Sequence, residues 1–194
     1  MVNVNVLDSN GNQKLFIFHK SFICHHSPYY SAAFNGRFSE AQSQSIVYYA
    51  ISLEAFGRFA DWIYNQKIEN GEGEMPSTKD LIDLWILADS ILIPCLQNQC
   101  IEALNDQCAK RDEIPTELFL HVYENTTEPS PLRKFLVDLC ASQLGKMEFG
   151  DEMPREMLVD ILKASGELKT TKAAKFTKEK MKRYLVDDLF VDCR

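Results

Sequence analysis

The densest set of ligand-type side chains in this sequence is His19, Cys24, His25 and His26, followed at once by Ser27. Thiolates and imidazoles suit zinc, but a zinc site needs four converging donors, or three and a water. His25 and His26 are consecutive, and consecutive side chains diverge on a helix or a strand. The cluster therefore predicts no metal site. Ser27 has histidines nearby, as a nucleophile would, yet it precedes Pro28, and Ser-Pro marks a helix cap followed by a first-turn proline. No G-x-S-x-G turn is present to present a serine to a substrate. Gly71 and Gly73 lie in an acidic stretch that would repel phosphate. The paired carboxylates Asp187-Asp188 sit in a tail of surface character. The expectation is a chain with no catalytic residue, no cofactor, no metal ion and no small-molecule substrate.

The bulk properties point the same way. The chain has 194 residues, 45% of them hydrophobic and 25% charged, enough to bury a core without covalent staples. Its net charge of -7 opposes general nucleic-acid binding, because phosphates would be repelled rather than neutralised. The cysteines, Cys24, Cys95, Cys100, Cys108, Cys140 and Cys193, form no C-x-x-C pair. Most lie in apolar runs, where a reduced thiol behaves as a small hydrophobe, and a disulfide framework is not expected. The N-terminus has no basic segment followed by an apolar run, and no apolar stretch reaches the length of a bilayer span. This reading predicts a cytoplasmic or nuclear protein. One stretch departs from the acidic balance. Lys163 to Arg183 carries eight basic and two acidic residues, net +6, which leaves -13 elsewhere. The basic side chains spread around a helix, as on a solvated surface helix.

These side chains must be placed by elements the periodicity reveals. Val2, Val4 and Val6 alternate with Asn3 and Asn5, which reads as a half-buried strand. Asp8-Ser9-Asn10-Gly11-Asn12 supplies turn residues that tolerate positive φ, so Leu15-Phe16-Ile17-Phe18 follows as the second arm of a hairpin. A third strand is expected over Ile46 to Ile51. The rest reads as helical. Pro28 opens a helix through Tyr29 to Phe34, and Asn35-Gly36 stops it. Ser52 caps a helix whose apolar face is Leu53, Phe56, Phe59, Ala60 and Ile63. Residues 69–77 form a loop. Further helices carry Leu81 to Leu92, then Leu96 to Leu104 after Pro94. Later ones carry Leu118 to Tyr123, then Leu132 to Leu139 after Ser130-Pro131, and finally Met157 to Leu162. Tyr48 and Tyr49 are consecutive in the third strand, so they point to opposite sides, and one of them is expected at an exposed face.

The residues at the junctions carry a family signature. Phe18-His19-Lys20 closes the second strand, then come Ser27, Tyr29, Phe34, Gly36, Phe38 and Glu40, and later Phe56, Phe59, Trp62 and Tyr64. In order and spacing this resembles the BTB/POZ domain over about Val2 to Cys108. The stretch Val122-Tyr123-Glu124-Asn125-Thr126 with Ser130-Pro131-Leu132-Arg133-Lys134 is similar to the helical tail of fungal BTB proteins. The resemblance implies an α+β fold: a small three-stranded mixed sheet flanked by helices over 1–108, with an all-helical extension over 109–194. It implies that His19 bonds locally at the strand end and that Ser27 and Tyr29 start the second helix. Phe56, Phe59, Trp62 and Tyr64 would pack the sheet against the helices. It also implies a protein-interaction module, an adaptor or scaffold that binds other proteins or itself, with a substrate receptor for a cullin-based ubiquitin ligase as the alternative.

Two departures sharpen that expectation. The first strand begins almost at Met1, so the N-terminal helix and strand of swapped family dimers have no counterpart in this sequence. Cullin-binding members tend to carry an apolar-x-Glu motif near the start of the third helix. Here the aligned residues are Phe56-Gly57-Arg58, and Arg58 reverses the charge. Tyr48, Tyr49, Phe56 and Arg58 are therefore the candidates for partner contact.

Overall fold

The structure, a computed structural model, describes residues 1–70, 72–111, 114–143, 153–167 and 176–187. Of the features singled out above, Gly71, Asp188, Cys193 and positions 168–175 of the basic stretch lie outside the described residues. The chain divides into two compact units, one containing Met1–Cys100 and the other Ile101–Val186.

In the first unit, β1 (Val2–Leu7) and β2 (Gln13–Phe18) form the antiparallel hairpin that the alternation predicts. Its turn is held by Asp8, whose carboxylate accepts from the Asn10 and Asn12 backbone N–H groups at 2.9 and 2.8 Å and from Asn12 Nδ2 at 2.8 Å. Those bonds, the Asn12 side chain's first, hold the Asp8 carboxyl below the usual carboxylate range. Gly11 takes φ +83, which a glycine adopts without steric cost.

The helices α1 (Lys20–His26), α2 (Pro28–Asn35) and α3 (Ser39–Ser43) lead to β3 (Ser45–Tyr49), which pairs parallel to β1. The strand order is β2-β1-β3, a mixed three-stranded sheet. The third strand ends two residues earlier than the sequence predicts because Ala50 turns to φ 58. Then follow α4 (Leu53–Asn65), α5 (Thr78–Ser90) and α6 (Pro94–Arg111). The boundary between the two units falls inside α6.

The inner face of the sheet is Val2, Val4 and Val6 with Phe16, Phe18 and Ile46, all buried. Against it α4 lays Phe56 and Phe59. Phe16 and Phe56 ring centroids are 4.8 Å apart, and Phe18 and Phe59 are 5.8 Å apart. Tilted and edge-on pairs of this kind add a little to the area term.

Ser27 is fully buried and does two jobs. Its Oγ accepts from the Tyr30 N–H at 3.2 Å, capping α2, and donates to the Ile91 carbonyl at 2.6 Å, beyond the end of α5. Gly36 follows α2 because nothing larger fits: a Cβ there would lie 2.3 Å from the Ala32 carbonyl oxygen.

The second unit is helical among its described residues. A short 3-10 turn (Thr116–Leu118) leads into α7 (Phe119–Asn125), then α8 (Pro131–Ser142), α9 (Arg155–Glu167) and α10 (Lys178–Met181). Arg133 is buried and ties the α7–α8 connection. Its Nε donates to Thr126 Oγ1 at 2.7 Å, its Nη2 to the Tyr123 carbonyl at 2.6 Å and also to the Thr126 carbonyl. The guanidinium lies 4.3 Å from the Tyr123 ring centroid. Phe176 and Tyr184 stack, Phe135 meets both rings edge-on, and the Tyr184 hydroxyl donates to Asp138 at 2.7 Å.

The thiols of Cys24, Cys100, Cys108 and Cys140 are free. Burial pushes the Cys140 thiol up to about 12 and raises Cys100 as well, so both stay protonated and act as small apolar groups. Cys95 departs from the expectation of reduced thiols, being disulfide-bonded.

Candidate functional site

The sheet has two faces, and the alternation that buries one fixes the other. Opposite residues form three rows on the outer face: Ile17, Asn3 and Ser45; Leu15, Asn5 and Val47; Gln13, Leu7 and Tyr49. Leu15 is 53% exposed, Ile17 54%, Val47 45% and Tyr49 71%. No carboxylate, amine, guanidinium or imidazole belongs to these nine positions, in a chain of net charge -7. Asn5 sits at the centre, on the middle strand. Its side-chain oxygen Oδ1 is buried and has no hydrogen-bond partner among the described residues. A buried acceptor without a donor costs about 1–3 kcal/mol, and several exposed apolar side chains on one uncharged face of a folded protein mark an interaction site. The arrangement offers apolar contact, one phenol and one hungry amide.

A smaller exposed patch lies at the end of β2. The Tyr64 hydroxyl, from the last turn of α4, accepts from the His19 N–H at 3.2 Å and lies 3.2 Å from His19 Nδ1. Phe22 packs on Tyr64 with ring centroids 5.3 Å apart. Phe22 and Tyr64 both keep substantial exposure.

Several expected placements need correction. Phe56, a candidate for partner contact, is completely buried, because α4 turns it onto Phe16, Phe18 and Phe59. Tyr48 faces the same side, its ring packed on Tyr29, Tyr30 and Phe56 and its hydroxyl buried, and burial raises the pKa of both Tyr48 and Tyr30. Only Tyr49 of the pair reaches the outer face, as the two-residue period demands. Arg58 is half-buried on α4, with Nη1 buried and unpartnered among the described residues. His19 bonds locally, its carbonyl accepting from the Phe22 and Ile23 N–H groups at 3.0 and 3.2 Å, but its side chain meets Tyr64, 45 positions away. Tyr64 is exposed rather than packed between sheet and helices, and the signature residue Phe38 is also exposed.

The remaining landmarks have structural duties. Lys20 Nζ donates to the Phe34 carbonyl at 2.8 Å, and Trp62 Nε1 donates to Gln99 at 3.1 Å. Tyr29 lies in the first turn of α2, and Glu40 accepts from the Ser39 hydroxyl at 3.1 Å. Cys24, His25 and His26 belong to α1 and gather no metal set: no group of three or more His, Cys, Asp or Glu side chains converges among the described residues. Nor is any described helix long and apolar enough to cross a membrane.

Leu15 and Ile17 were not foreseen as surface residues. The signal was present: four consecutive apolar residues in one strand must send two to each face.

No curated protein matches the chain. The family model described as the BTB/POZ domain does match, over residues 4–107. That interval contains the sheet except the first two residues of β1, together with Ser27, the close-packed Gly36 and the aromatic layer of α4. It spans more than half of the sequence, and the protein belongs to the BTB/POZ domain family, whose members are protein–protein interaction modules.

Proposed function

We propose that the chain is an adaptor or scaffold that holds another protein against the outer face of its sheet, and that it also associates with itself. The uncharged rows around Asn5 carry this reading, since a soluble domain has no packing reason to leave Leu15, Ile17, Val47 and Tyr49 in water together. In this reading residues 1–108 are the interaction domain and 109–194 a helical extension. The fungal kinship belongs to the same proposal. It is supported by the Val122–Thr126 and Ser130–Lys134 phrases, which Arg133 joins by donating to Thr126 Oγ1 and to the Tyr123 carbonyl.

The test is capture from an extract with the wild type and with a Leu15→Lys/Ile17→Lys variant whose fold is checked by circular dichroism. The proposal expects a bound protein that the variant loses. Equal recovery by both rejects the outer face.

The second reading, a receptor for a cullin-based ligase, has the family's habits behind it and Arg58 against it. Purified chain is mixed with a fungal cullin, as wild type and as Arg58→Glu. Binding only by the variant supports plain scaffolding, and binding by the wild type supports the receptor.

A further inference from the structure

We infer that the open edge of β3 is a pairing site for β3 of a second copy of this chain, the two strands running antiparallel about a two-fold axis at Val47. The inference deepens the self-association part of the reading above and rests on it.

β3 stands at the end of the order β2-β1-β3, so one of its flanks has no strand neighbour among the described residues. The Asn3 N–H donates to the Gln44 carbonyl at 2.9 Å, and this sets the phase of the parallel ladder. Ile46 and Tyr48 turn their backbone groups toward β1, so Ser45, Val47 and Tyr49 turn theirs to the other edge, where the Ser45 carbonyl already accepts from the Ser43 hydroxyl at 3.3 Å and keeps one lone pair for a partner strand.

The two edges of the sheet are treated differently. β2 carries Lys14, the kind of charge that discourages a further strand. From Ala41 to Leu53 there is no Asp, Glu, Lys, Arg or His, and no proline. Within that stretch Ser45-Ile46-Val47-Tyr48-Tyr49 is β-branched and aromatic in all but its first position, as pairing strands are. The strand is also bounded at both ends by non-glycine residues in the left-handed region, Gln44 at φ 49 and Ala50 at φ 58. Such residues persist only where their surroundings hold them. Gln44 Nε2 does so by donating to the Ala41 carbonyl at 2.6 Å and the Phe34 carbonyl at 3.2 Å.

A second copy fits this edge better than a foreign strand. Under a two-fold at Val47, Val47 meets its own mate, Ser45 meets Tyr49 and Ile46 meets Tyr48. The outward-facing positions are the first, third and fifth of the strand, so each meets another outward-facing residue, giving about six backbone hydrogen bonds. Net charge -7 opposes homotypic contact over most of the surface, and this uncharged stretch is where it opposes least. Pairing would also join the two outer faces into one continuous surface with Val47 and Tyr49 at its middle.

The experiment is sedimentation velocity on the full chain between about 1 and 200 µM, where a modest interface shows its equilibrium. The wild type is expected to show a monomer–dimer equilibrium. Val47→Pro removes an N–H that β1 does not use. Val47→Lys keeps every backbone group but sets two amines opposite each other. Each is expected to raise the dissociation constant at least about tenfold, while Leu15→Lys/Ile17→Lys leaves it unchanged. Val47→Cys gives a readout independent of these. Paired strands place the two Cα atoms about 5.5 Å apart, within reach of a disulfide, so an oxidised dimer is expected that Leu15→Cys does not form. A wild-type monomer throughout the range overturns both this route and self-association. A dimer that survives folded Val47 variants and gives no Val47→Cys cross-link overturns this route alone.

Discussion

Replacing Ser27 by alanine tests whether one hydroxyl joins two distant parts of the interaction domain. Ser27 Oγ caps α2 through the Tyr30 N–H and reaches the Ile91 carbonyl 64 residues along the chain, in a place with no access to water. Losing a cap costs about 1 kcal/mol. Leaving the Ile91 carbonyl buried without that donor adds about 1–3 kcal/mol. Ser27→Ala should therefore destabilise the chain by about 2–4 kcal/mol. Ser52 is the internal standard. It caps α4 by accepting from the Ala55 N–H at 3.2 Å and carries no bond to a distant element. Ser52→Ala should cost only the cap, about 1 kcal/mol. Urea unfolding followed by tryptophan fluorescence measures both, since Trp62 and Trp85 are buried in the same unit. Equal losses in the two variants would refute the argument, because the bond to Ile91 would then contribute nothing.

Three further outcomes follow from the geometry. Arg133→Met removes the donor to Thr126 Oγ1 and to the Tyr123 and Thr126 carbonyls, leaving neutral acceptors unsatisfied, so it should cost about 1–3 kcal/mol, read as an earlier unfolding transition with α8 amides exchanging faster. Gly36→Ala forces a Cβ against the Ala32 carbonyl and should cost about 1–3 kcal/mol by the same urea assay. Burial, with the nearby His25 charge second, holds the His26 imidazole below its ordinary value of 6.5. The unfolded chain then binds the proton more readily than the folded one, so stability present above about pH 6.5 falls as the pH drops through and below that value. His26→Gln should flatten that part of the pH profile in thermal melts, and an unchanged slope would count against the assignment.

The sequence showed the parts whose cause is local. Val2, Val4 and Val6 are buried because a strand alternates, and Ser27-Pro28 starts a helix because the cap and the ring fit there. The Asp8–Asn12 turn was legible from the amides that bond to Asp8. What stayed hidden depends on residues far apart in the chain. Nothing near His19 announces Tyr64, and nothing near Asn105 announces that its side chain brackets Phe176 with bonds of 3.3 and 3.2 Å. Phe56 carried two expectations: its helical spacing put it in the core, where it lies, while its alignment with a cullin-contact motif made it a partner candidate, which its burial rules out. Leu162 shows the opposite error: it continues the apolar spacing of α9, yet it lies exposed while Met157 and Ile161 are buried. The outer sheet face needed the register of all three strands before its rows could be seen, although Leu15 and Ile17 hinted at it.

The most direct test of the central claim is carbene footprinting of the chain alone and in its captured complex. The account predicts that labelling of Leu15, Ile17 and Tyr49 drops sharply in the complex, while exposed Leu120 in the other unit keeps its labelling. Unchanged labelling of those sheet residues in a complex that has formed would contradict it.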